Sequence, residues 1–133
     1  MYREGADRRD PVRILLVDDE PLLLKSYARY LERGWEHEVT SALGGAEALA
    51  LLEDKEPFDL VFCDLSMSDV GGVEVHRTIC EHHPELMDRF VFLTGGMLDE
   101  VTEDYVRGAG VPILSKPVRR NAFDKAIAAI GCG

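Results

Sequence analysis

Apolar runs along this chain are short, and four of them close on polar residues of different kinds. The run 14–17 meets Asp18 and Asp19, 60–63 meets Asp64, 91–93 meets Thr94, and 113–114 meets Ser115, Lys116 and Pro117. A short apolar run closed by a polar residue suits a parallel strand buried on both faces and opening at its C-terminal end. Between these runs the apolar spacing turns helical: Leu23, Tyr27 and Leu31, then Val101 and Tyr105, then Phe123, Ala126, Ile127 and Ile130. The pattern predicts strands over 13–17, 38–42, 60–63, 90–94 and 113–115. Helices follow each of them, over 21–33, 45–53, 72–83, 99–108 and 119–130. Gly34, Gly108 and Gly131 stand where left-handed helix stops are expected, and Pro57 and Pro84 cannot continue a helix.

Strict strand and helix alternation implies right-handed crossovers and a parallel sheet with helices on both faces. The expected fold is therefore α/β, a flavodoxin-like, doubly wound, five-stranded parallel sheet of order 2-1-3-4-5 with five helices. Residues 1–11 mix both charges without periodicity and read as a flexible tail or linker, which leaves one domain over 12–133. The formal charge of -10 disfavours direct nucleic-acid binding. No apolar stretch reaches the roughly 20 residues of a membrane span, so a soluble, cytoplasmic protein is expected. Cys63, Cys80 and Cys132 lack metal-site spacing and read as reduced thiols.

In that strand order β1 and β3 lie side by side at the switch point, and Asp18, Asp19 and Asp64 share one crevice. Two carboxylates about 4 Å apart repel by about 4 kcal/mol at an effective dielectric near 20, so three of them call for a cation. Hard oxygen donors suit Mg²⁺. Each residue also has a plainer reading. One Asp of the 18–19 pair can cap the helix that begins at Pro21, Asp64 can be a solvated turn residue, and Lys116 a surface lysine. Thr94 can cap the helix beginning near Leu98, and Gly95 can be an ordinary turn glycine.

Taken together, LLVDDE at 15–20, DLSMSDVGG at 64–72, FLTGG at 92–96 and SKP at 115–117 resemble the response-regulator receiver domains of two-component signalling. The resemblance implies that Asp64 accepts a phosphoryl group from phosphohistidine. It implies Mg²⁺ held by Asp19 and Asp64, with Asp18 acting mainly through water and the Ser66 carbonyl as a further ligand. Lys116 would bridge Asp64 and a phosphoryl oxygen, and Thr94 would donate its hydroxyl to the phosphorylated form. It also implies a cis Lys116–Pro117 bond, a histidine kinase or histidine phosphotransfer protein as donor, and a downstream protein target. Catalysis would be limited to the chain's own phosphorylation and dephosphorylation.

The chain departs from the family pattern at two places. Ile113 replaces the switching aromatic residue, so movement would have to pass through Thr94 and the Gly95–Gly96 loop into the following helix. Ser68 stands where the family commonly has Pro, which is expected to loosen the turn after Asp64. His37, His76, His82 and His83 read as helix-end residues rather than as a phosphohistidine or a metal ligand. The alternative class is a Mg²⁺-dependent phosphatase of the haloacid-dehalogenase type, in which Ser66 would replace the second acid of a DxD pattern. Only residues 131–133 follow Ile130, so a stand-alone receiver or one excised from a hybrid histidine kinase is expected.

Overall fold

Continuous burial along the central strands sets the architecture. The computed structural model describes residues 11–54 and 57–130. Within them every residue of β3 (Leu60–Asp64) is buried, as are the last four of β1 (Arg13–Val17) and the first four of β4 (Phe90–Thr94). Successive side chains point to opposite faces. Leu15, Val17, Val61, Cys63, Phe90 and Phe92 build one core, and Ile14, Leu16, Leu60, Phe62, Val91 and Leu93 the other. A strand apolar on both sides needs helices on both. Against the first core lie Ala48 and Leu52 of α2 (Gly45–Glu53), Val75 and Ile79 of α3 (Gly72–His82) and Val106 of α4 (Glu100–Ala109). Against the second lie Leu24, Tyr27 and Leu31 of α1 (Pro21–Trp35) and Phe123 and Ile127 of α5 (Arg120–Ile130).

With β2 (Glu38–Ala42) and β5 (Ile113–Ser115), the parallel sheet has the order β2-β1-β3-β4-β5, as expected. The expectation of burial on both faces fails for β5. It is an edge strand of three residues, and Ile113 is 39% exposed. Two helix stops also differ from expectation. Helix α1 runs through Gly34, and Glu36 takes the left-handed conformation at φ 59°; α4 runs through Gly108 to a left-handed Gly110 at φ 68°. For α1 the neighbouring strands decide the stop. The Val12 N–H donates to His37 Nδ1 at 3.0 Å and the Glu38 N–H to the Val12 carbonyl at 3.0 Å, which fixes where the chain leaves the helix. Gly131, Cys132 and residues 1–10 of the expected tail lie outside the described residues.

The histidines divide. His82 ends α3 and His83 caps it, in line with the helix-end reading, whereas His37 and His76 are buried. His76 sits inside α3 with its ring edge-on to Phe90, centroids 4.9 Å apart, and its Nδ1 lies 2.7 Å from the Tyr105 hydroxyl of α4. Burial disfavours the imidazolium and holds the His76 pKa below its usual 6.5. The unfolded chain therefore takes up that proton first. Stability from neutral His76 is full above pH 6.5 and is lost as pH falls through the lowered folded value. The urea midpoint of wild type is expected to fall more steeply than that of His76→Phe as pH is taken below 6.5.

Two glycines mark opposite situations. A Cβ on Gly72 would strike the Asp64 carbonyl oxygen, so the backbone of α3 touches the end of β3 where no side chain fits. A Cβ on Gly108 would meet nothing within 4 Å. Gly72→Ala is expected to destabilise the fold by about 1–3 kcal/mol through overpacking. Gly108→Ala, in an open helical position, is expected to stabilise it by about 0.5–1 kcal/mol. Chemical denaturation of the two variants checks both signs.

Candidate functional site

Parallel strands deliver their closing residues to one edge of the sheet, and here that edge is acidic. Asp18 follows β1 and is fully buried, Asp64 ends β3 at 3% exposure, and Asp19 is half-buried. One carboxylate oxygen from each lies within 4.8 Å of the others. Lys116, directly after β5, reaches over them. Its Nζ is 3.1 Å from Asp64 Oδ2, 3.1 Å from Asp18 Oδ2 and 3.2 Å from Glu20 Oε1. Sequence reasoning gave Glu20 no role. Its place two residues after Asp18, turned toward the same mouth, was the available signal. The peptide bond between Lys116 and Pro117 is cis, as the resemblance implied.

Backbone N–H groups orient these acids. The Glu20 N–H donates to Asp18 Oδ1 at 2.9 Å, the Ser66 N–H to Asp64 Oδ1 at 3.3 Å, and the Ser68 N–H to Asp19 Oδ2 at 3.0 Å. Neither Asp18 nor Asp19 occupies the N-cap position of α1, which belongs to Glu20. Thr94 is also not a cap. Asp99 caps α4 by accepting the Thr102 N–H at 2.7 Å, and the Thr94 hydroxyl donates to the Gly96 carbonyl at 3.3 Å. The Ser66 side chain is exposed at the crevice rim. A Cβ on Gly95 would lie 3.7 Å from Lys116 Cε, an ordinary contact, so the surrounding protein atoms alone do not demand glycine there.

Charge decides what the crevice can hold. Four carboxylates, from Asp18, Asp19, Glu20 and Asp64, face one ammonium, and unit charges about 4 Å apart interact by about 4 kcal/mol at an effective dielectric near 20. One lysine cannot offset that many acids. Burial, then the charge of Asp18, pushes the Asp64 carboxyl above its usual range, and Lys116 and the Ser66 N–H only partly pull it back. Burial by itself would lower the Lys116 pKa, but the adjacent carboxylates of Asp18 and Asp64 outweigh it and hold the ammonium well above its ordinary value. Asp18 Oδ2 is close to Nζ yet outside hydrogen-bonding geometry, which leaves a buried oxygen met by charge alone. Hard oxygens, surplus negative charge and an incompletely partnered buried oxygen fit a divalent cation of the Mg²⁺ or Ca²⁺ kind. A groove of about 740 Å³ beside Leu24, Ala28, Ser41 and Leu43 holds none of these acids, so chemistry rather than concavity locates the site.

The comparisons agree with this geometry. Residues 14–128 match the family model described as the response regulator receiver domain, and the chain belongs to that family. It is a phosphoacceptor module of two-component signalling. The chain is 32% identical over 105 residues to the response regulator receiver protein CpdR of Brucella abortus (strain 2308), covering 79% of this chain and 84% of that protein. It is 25% identical over 123 residues to the sensor protein TorS of Escherichia coli (strain K12), covering 92% of this chain and 13% of that protein. The chain spans 45% and 40% of the length of two regulators it also matches. In fold it is similar to a solved co-crystal of the Saccharomyces cerevisiae histidine phosphotransfer protein Ypd1 with the receiver domain of Ssk1. That likeness has TM-score 0.78 and 21% identity, over 92% of this chain and 90% of that one. Family membership sets aside the haloacid-dehalogenase alternative.

Because burial and Asp18 oppose ionisation of Asp64, the charged side chain costs the metal-free fold stability. Asp64→Asn is expected to raise the unfolding free energy without metal by about 0.5–2 kcal/mol, as relief of active-site strain commonly does. Urea denaturation at neutral pH in the presence of a chelator checks it.

Proposed function

We propose that Asp64 is the phosphoacceptor of this receiver, served by Asp18, Asp19, Lys116 and Thr94. The carrying observation is the Lys116 ammonium at 3.1 Å from Asp64 Oδ2, at the mouth of a crevice that holds two further aspartates. An Asp64 carboxylate oxygen forms the new bond to phosphorus as the bond from phosphorus to the donor's imidazole nitrogen breaks, and that nitrogen leaves with the electron pair. Phosphoryl transfer asks chiefly for in-line positioning and neutralisation of the equatorial oxygens. Lys116 supplies one positive charge. Asp18, Asp19, Asp64 and the Ser66 carbonyl would hold Mg²⁺, which when bound supplies the rest of the charge neutralisation. Thr94 then exchanges its bond to the Gly96 carbonyl for one to a phosphoryl oxygen, which pulls the loop ahead of α4 toward the site.

The donor is a histidine kinase or a histidine phosphotransfer protein, the latter being the kind of partner that the yeast receiver of similar fold is crystallised with. A cytoplasmic setting and a downstream protein target belong to the same reading. So does attachment to a longer chain, such as a hybrid histidine kinase, which accords with the small share of its sensor relative that this chain spans. After incubation with acetyl phosphate and Mg²⁺, intact-mass measurement is expected to find one phosphoryl adduct. It is expected to be absent from Asp64→Asn and absent with chelator. An adduct of equal yield on Asp64→Asn sinks the assignment.

A further inference from the structure

Residues 66–71, between β3 and α3, are tied down from two directions. On one side Asp69 straddles the first turn of α2: its Oδ1 accepts the Gly45 N–H at 3.2 Å and its Oδ2 the Ala46 N–H at 3.0 Å. These groups are among the N–H donors that every helix start leaves unpartnered. They hold the Asp69 carboxyl below its usual range, Ala46 foremost. The approach is so close that side chains are excluded beneath it. A Cβ on Gly44, whose φ is 125°, would lie 2.9 Å from Asp69 Oδ2, and one on Gly45 would strike the Val70 carbonyl oxygen. On the other side, one residue before Asp69, the Ser68 N–H donates to Asp19 Oδ2 at 3.0 Å. A proline at 68 has no N–H and could not make this bond. Ser68 therefore does not simply loosen the turn; it adds a donor aimed at an acid of the site.

We propose that Asp69 is a positioning residue for the metal-binding carboxylates, anchoring the acceptor loop to the start of α2 so that the Ser68 N–H holds Asp19 in its ligating orientation. The inference rests on the proposed assignment of Asp19 to the metal. Asp19 is half-buried, and the Ser68 N–H meets one of its two carboxylate oxygens. An N–H fixed on Oδ2 leaves Oδ1 for a cation and removes rotamer freedom before binding. Partners that orient a metal ligand from behind are commonly worth 10–100-fold in metal affinity.

Calorimetric titration with Mg²⁺ alone and amide exchange in metal-free protein test the proposal together. Asp69→Ala is expected to raise the Mg²⁺ Kd about 10-fold and to speed exchange of the Ser68 amide by a similar factor. Ser68→Pro is expected to weaken Mg²⁺ comparably, whereas Ser68→Ala, which keeps the N–H, leaves the Kd at the wild-type value. Asp99→Ala removes a helix cap of the same kind from α4. Its loss of stability is expected to match that of Asp69→Ala while its Mg²⁺ Kd stays unchanged, which separates positioning from general loosening. The proposal is overturned if Asp69→Ala keeps wild-type Mg²⁺ affinity and Ser68 protection, or if Asp99→Ala weakens Mg²⁺ as much. Exchange is read without metal or phosphoryl donor. It therefore decides the anchoring even where no phosphoryl adduct forms, a result that counts against the proposed function alone.

Discussion

The Lys116 side chain is 10% exposed, and its ammonium lies within 3.2 Å of oxygens from Asp18, Glu20 and Asp64, three acids that reach it from two strand ends. Three carboxylates of one sign can converge in a crevice only if something positive stands among them, because their mutual repulsion exceeds what a surface ion pair returns. Lys116 makes the convergence tolerable without completing it. The negative charge left over favours a divalent cation. The scaffold is built so that this residue and Asp64 meet: β1, β3, β4 and β5 run parallel, and each releases its polar residue at the same edge.

Glycine contacts fix the loops that carry the chemistry. The backbone of Gly72 lies against the Asp64 carbonyl, and Gly44 and Gly45 let residues 69–70 settle on the start of α2. In each case a side chain would push apart two segments whose spacing sets the direction of a carboxylate. Rigid backbone, rather than a dense set of side-chain contacts, holds the acids in position.

On the same face of the sheet, α4 buries fewer side chains than α3. Helix α4 buries Val106 and half-buries Tyr105, while Val101 is 79% exposed and Met97, ahead of it, is fully exposed. The hydroxyl of Tyr105 is its polar tie to the sheet-facing side of α3, through His76. Ile113, in place of an aromatic on β5, is 39% exposed beside α4. Leu98, Val106 and Ile113 already line a groove there together with Thr94.

The alternation of apolar runs and helical spacing was enough to specify five strands and five helices, and their order followed from the few arrangements common for doubly wound parallel sheets. The meeting of Asp18, Asp19, Asp64 and Lys116 at one edge was equally readable, each standing at or just past a strand's C-terminal end where open sheets present their chemistry. Helix stops were less so. Gly34 and Gly108 looked like stops, yet α1 and α4 run past them, since the pairing of Val12 with His37 and Glu38 decides where α1 ends. The buried place of His76 was hidden because its partners, Phe90, Phe92 and Tyr105, are distant in sequence. Glu20's reach to Lys116 and Asp69's hold on α2 belong to the same class. Sequence fixes which groups a strand end presents, but which N–H meets which carboxylate depends on loop paths in three dimensions, and those are set by contacts between segments far apart in the chain.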